Sequence, residues 1–149
     1  MEEMITPYEL PEIKDHSFFF IDQRIATHIE AKLHKHDAWE LYHVIHGHGN
    51  RIAGDTLQPF SAGDVVLIPP SMHHYWQYAP TSADNDGCIH YLMVAFSHSL
   101  ITRCIEVFPE LRNRLTSLTF PVNALKYGLE SSRVIRKMLS QMNDMDDLG

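Results

Sequence analysis

The sequence is short of positive charge: 12 Lys+Arg stand against 19 Asp+Glu in 149 residues, a formal net charge of −7. Nucleic-acid backbones are held by basic stripes that displace counterions, so this stretch is not one that touches DNA. Cysteine is nearly absent, and Cys88 and Cys104 belong to no C-x-x-C pair or disulfide framework, the usage of a reducing compartment. No apolar run approaches the roughly 20 residues that span a bilayer. The start MEEMITPYELP is acidic and proline-bearing, where a secretory signal is basic and then apolar. A cytoplasmic protein with no membrane partner is expected. There is no glycine-rich phosphate loop, and neither the cysteines nor Ser71 and Ser97 have the surroundings of a nucleophile, so covalent and phosphoryl-transfer catalysis lack their parts.

What the chain has in excess is histidine. Ten of its eleven histidines lie between His28 and His98, so their use belongs to the first two thirds of one ordinary domain. Residues 1–15, with two prolines and no apolar period, read as an extended N-terminal arm. From 16 to 97 short β-rich runs alternate with turn residues: FFFID (18–22), RIATHIE (24–30), AWELYHVI (38–45), NRIAG (50–54), DVVLIP (64–69), YWQYA (75–79) and CIHYLMVAF (88–96). Runs at this spacing predict an antiparallel sandwich or small barrel. From 98 to 149 the period becomes helical. A serine-capped helix is expected from Ser97 to about Ile105, a break near Pro109 and a second helix from Glu110. An amphipathic helix is expected from Asn123 to about Met142, with Leu125, Leu129, Ile135, Met138, Leu139 and Met142 on one face.

His34 and His36 alternate on a strand and Glu40 shares their parity, while Pro69-Pro70 turns the chain to bring His74 onto the next strand. Three imidazoles and a carboxylate on the inside of a small barrel can hold one divalent transition ion, Zn, Ni, Mn or Fe, with positions left open. Tyr42, Val44 and His46 share the face of Glu40, and Trp76 and Tyr78 that of His74. Tyr42, Trp76, Tyr78 and His46 are therefore candidate walls for a small polar ligand such as a sugar, although large aromatics also simply fill such cores. On the last strand either Tyr91 and Met93 or His90 and Leu92 point inward.

His34, His36, Glu40, Gly47, Gly63, Pro69 and His74 stand at the spacings of the two cupin motifs, with His28, Ser71 and Tyr78 in place of the usual glycine, glycine and asparagine. The chain thus resembles the cupin superfamily, which implies a mainly β fold: a double-stranded β-helix, or jelly-roll barrel, followed here by C-terminal α-helices. Within the cupins, GDVVLIPPSMHHYW (63–76), the hairpin before it and HYLMVAFS (90–97) resemble the N-terminal effector-binding domain of AraC-type transcriptional regulators. That resemblance implies a small-molecule effector in the barrel, a homodimer through the C-terminal helices, and DNA bound only by a further basic domain that these residues do not contain. A metal-dependent cupin enzyme, a dioxygenase or isomerase, is the alternative, and a stand-alone carbohydrate-binding module a third. The amphipathic helix favours the regulator, because an enzyme barrel has no need of a partner-facing helix.

Overall fold

The computed structural model of the chain describes residues 18–27, 35, 37–115 and 123–146. The expected N-terminal arm and His28, His34 and His36 lie outside the described residues. The strands are β1 (Phe18–Ala26), β2 (Trp39–His46), β3 (Gly49–Ala53), β4 (Thr56–Phe60), β5 (Val65–Ile68), β6 (His74–Tyr78), β7 (Cys88–Phe96) and β8 (Leu125–Lys126). They pair antiparallel in two sheets, ordered β1-β7-β2-β5-β8 and β4-β3-β6. This is the mainly β, cupin-type fold with C-terminal helices expected from the motifs.

The core between the sheets draws on both. Ile21, Tyr42, Val44, Val66, Ile68 and Met93 come from one, and Ala53, Phe60 and Trp76 from the other. The inward residues of each strand alternate with outward ones, as a pleat requires. On β7 this settles the open choice, since Tyr91 and Met93 face the core while Leu92 and Val94 face outward. The chain passes from one sheet to the other at Gly47-His48-Gly49. A Cβ on Gly47, whose φ is +119°, would lie 2.8 Å from the Tyr78 ring, and one on Gly49 would lie 1.9 Å from the Gln77 carbonyl oxygen. Only glycine fits either position. Ser71, standing where the second motif has glycine, keeps the left-handed backbone of that turn at φ 63°, so the turn survives the loss of its usual residue.

β4 is a strand that the β-rich runs of the sequence did not include. It lies at a sheet edge, where Pro59 removes no donor from a central ladder. The 18–22 run and residues 24–26 of the 24–30 run are joined through Gln23 into the single strand β1, paired throughout with β7, while residues 28–30 lie outside the described residues.

The helices cover the outer face of the five-stranded sheet. α1 (His98–Val107) begins at Ser97, whose hydroxyl accepts from the Leu100 N–H, and ends just before Pro109. Its Ile101 packs on Trp39 and Leu67. α2 (Arg112–Leu115) is a single turn. α3 runs Leu129–Asp146, starting later and ending later than its periodicity suggested. Leu125 is not on it: Leu125 and Lys126 pair with Leu67 and Val66 as an edge strand, and Gly128 separates this strand from the helix. Leu139, Ile135 and Met142 dock α3 on Leu92 and Val94, while Val134 and Met138, 58 % and 59 % exposed, form a second apolar face one turn apart.

His43, out of phase with Tyr42, is trapped on this outer face. Burial, with the nearby charges of Arg136 and His90, pushes its pKa down to about 4. In the unfolded chain the ring titrates near 6.5, so below that pH the unfolded state takes up a proton that the folded state refuses. Stability is thus unaffected above about pH 7 and is lost as pH falls from 6.5 toward 4, by up to about 3 kcal/mol. His43→Leu should flatten this part of the stability–pH curve, measured by urea unfolding at pH 7.5 and pH 5. An equal slope in both proteins would exclude His43 as its origin.

Candidate functional site

Glu40 on β2 and His74 on β6 reach across from opposite sheets. Their side chains are 3 % and 2 % exposed, with Glu40 Oε2 2.7 Å from His74 Nε2. The other ring nitrogen, Nδ1, donates to the Met72 carbonyl at 2.9 Å. Burial works against a charged imidazole, but the hydrogen bond and charge of Glu40 and the Met72 carbonyl outweigh it, and the His74 pKa lies above its ordinary value. The pair ties the sheets together in a region where charges are tolerated only when matched.

The sequence-derived metal set is brought together in this part: Glu40 and His74 meet, and His34 and His36 lie outside the described residues. Among the described residues no group of three histidine, cysteine, aspartate or glutamate side chains is placed to hold a metal. The chemistry of the two that meet does fit one. A carboxylate faces an imidazole nitrogen whose partner nitrogen is fixed by a backbone carbonyl, the support that ligating histidines commonly have.

Beside this pair three rings form a continuous stack. Tyr42 lies parallel to Tyr91 at 4.5 Å and to Trp76 at 4.0 Å between ring centroids. Phe60 meets Trp76 and Tyr78 edge-on. The Tyr42 and Tyr78 hydroxyls hydrogen-bond each other at 2.7 Å, and burial raises both phenol pKa values, reinforced at Tyr42 by Tyr78 and Tyr91 and opposed at Tyr78 by the hydrogen bond to Tyr42. They remain neutral donors and acceptors at physiological pH.

Three of the four candidate ligand residues, Tyr42, Trp76 and Tyr78, are therefore neighbours on facing inner surfaces. The fourth is not. A β-bulge follows Val44, so His46 pairs with His90 rather than continuing the alternation, and it is exposed on the outer side. The inner-face placement of His46 is corrected by this one extra residue, which inverts the parity of everything after it.

Sequence reasoning did not single out Arg51 or Phe60, and it left the facing of Tyr91 open. Phe60 ends a strand that its proline concealed, and Tyr91 needed the register of β7. Arg51 had a local signal, since it alternates with Ala53 in NRIAG, but a charged residue on a short strand reads first as solvated. It is buried at the centre of β3, opposite Trp76. Its guanidinium lies 5.3 Å from the Trp76 ring centroid, and Nη2 donates to Gln58 Oε1 at 2.9 Å.

Residues 15–147 match the family described as the AraC-like ligand binding domain. The chain belongs to that family. No curated protein matches its sequence. Among solved structures the AraC-like domain is similar to ToxT from Vibrio cholerae, with 11 % identity over 83 % of this chain and 47 % of ToxT and a TM-score of 0.52. The chain thus spans about half of ToxT's length. It is also similar to a cupin 2 conserved barrel domain protein from Rhodopseudomonas palustris, with 16 % identity over 71 % of this chain and 73 % of that one and a TM-score of 0.43. No helix among the described residues of the AraC-like domain is long and apolar enough to cross a membrane.

Proposed function

We propose that this AraC-like domain is the effector-sensing and dimerisation part of a transcriptional regulator. It takes a small polar ligand, a sugar among the candidates, between its two sheets, and is not itself an enzyme. DNA contact belongs to a separate basic domain, and the working place is the cytoplasm. The observation that supports this reading is the two-sided use of one sheet. Its inner face presents Tyr42 and Glu40 to Trp76, Tyr78 and His74, and its outer face carries α1 and α3.

β2 links the two sides. Tyr42 points into the stack, while its neighbour Leu41 packs under both helices. The rings of the stack are already in contact, so a ligand entering among them displaces Tyr42 or Trp76 and shifts β2 against the helices. Such a shift requires the ligand to favour one arrangement over the other, since equal affinity moves no equilibrium. A relay of this kind needs a partner-facing surface, and Val134 and Met138 on α3 supply it. The chain should be a dimer by sedimentation, and Val134→Glu combined with Met138→Glu should give a folded monomer. A monomeric parent chain would overturn the relay.

The second reading, a metal-bearing cupin, is favoured by the anchored His74 beside Glu40. A divalent Zn, Ni, Mn or Fe ion would be held by these two with His34 and His36, and would supply a Lewis acid for a ligand oxygen. Metal analysis of freshly purified protein tests it.

A further inference from the structure

Among the described residues Arg51 is the buried charge on the inner face that the Glu40–His74 pair leaves unexplained. It is 3 % exposed, and burial works against its charge, offset only by the charge of Asp64. Asp64 is engaged elsewhere: its carboxylate accepts from the Ser61 N–H and lies 3.7 Å from Lys126 Nζ. Nη2 of Arg51 has Gln58, but Nη1 is buried with no hydrogen-bond partner. No carboxylate among the described residues forms an ion pair with Arg51. Arginine cannot escape this by losing its proton. An unmatched buried cation is costly to a fold, and an amide oxygen with one indole face is weak compensation.

A partner for the Nη1 donor must suit what surrounds it. It must accept from a planar, fork-shaped cation, for which a carboxylate is the geometric complement. It must arrive beside an aromatic ring that offers a flat apolar surface. Gln58, the neighbour of the guanidinium on β4, is exposed, so the donor lies one side chain in from solvent.

We propose that the effector is a small organic carboxylate whose carboxylate pairs with Arg51 while its body lies against the Trp76–Tyr42 rings. This rests on the reading of the chain as an effector-binding domain and narrows the ligand from polar to anionic. Arg51 sets the specificity. A neutral polyol can accept from Nη1 but leaves the buried charge unmatched, and binds more weakly for that reason.

The test uses two panels of probes against the whole 149-residue chain, read by thermal shift and calorimetry. One panel pairs benzoate, 3-phenylpropionate and hexanoate with their primary amides; the other consists of glucose, arabinose and rhamnose. The expected result is saturable stabilisation by at least one carboxylate, with its amide about tenfold weaker or silent, and loss of about tenfold or more of that affinity in Arg51→Gln. Arg51→Met should also be more stable than the parent in the absence of any ligand, because it removes the unmatched charge and keeps the volume. Three results overturn the proposal: amides binding as well as acids, unchanged carboxylate affinity in Arg51→Gln, or Arg51→Met less stable than the parent, which would make Arg51 a structural residue. Sugars binding while every carboxylate is silent overturns it too, but leaves the effector-binding reading standing. Silence from both panels counts against both.

Discussion

Replacing Trp76 by alanine is expected to lower the free energy of unfolding by about 4 kcal/mol, a large part of what a domain of this size has. Trp76 is only 5 % exposed and belongs to the core shared by the two sheets. It stacks on Tyr42, receives the edge of Phe60 and lies under the Arg51 guanidinium. Removing the indole opens a cavity between the sheets and deletes two aromatic pairs, each worth roughly 1 kcal/mol beyond the area it buries. Trp76→Phe keeps a ring in the stack and should cost less than half as much. Urea unfolding followed by circular dichroism measures both. A loss below about 1 kcal/mol for the alanine variant would mean that the stack closes over the gap. The size of this effect also restricts how ligand binding can be tested, because truncating Trp76 removes fold and site together.

The second large effect is expected at Glu40. Glu40→Ala leaves the His74 ring facing a gap at the place where it had a carboxylate at 2.7 Å. Breaking a buried ion pair on one side typically costs about 3 to 5 kcal/mol, whereas replacing both members by apolar residues is often close to neutral. Glu40→Ala and His74→Ala should each be strongly destabilised, and Glu40→Met combined with His74→Leu should recover most of the loss, giving a coupling well above 1 kcal/mol in a double-mutant cycle. Independent, additive losses would show that the pair does not tie the sheets. The same proteins bear on the metal-bearing reading: if an ion is held, a chelator lowers the melting temperature of the parent and leaves the apolar double variant unchanged.

The candidate site was legible in the sequence to the extent that it follows strand parity within uninterrupted strands. Tyr42 lies on the side of Glu40, Trp76 and Tyr78 on the side of His74, and His43 on the other side, all as alternation requires. Parity failed at His46 because a bulge belongs to a pair of strands and not to one; nothing in LYHVIHG shows which residue β7 will skip. The same dependence on a partner left the facing of Tyr91 open until the register of β7 with β2 was known. β4 was hidden by Pro59, whose tolerance depends on lying at an edge, and the two-residue β8 exists only because β5 offers it an open side. Leu125 therefore matched a helical stripe by spacing while its backbone pairs with a strand.

The sequence alone determined the class of fold, because strand alternation, the glycines at the sheet crossing and the serine cap of α1 are local requirements of backbone geometry, and its resemblance to the cupin motifs pointed to the family. It also determined the acidic balance, which is a property of composition alone. Only the tertiary structure decided which polar groups are buried without a full complement of partners. Arg51 looks like any solvated arginine on a short strand until β4, β6 and the stack close around it. Burial and hydrogen-bond satisfaction are sums over neighbours distant in the chain, and no local pattern of residues carries that sum.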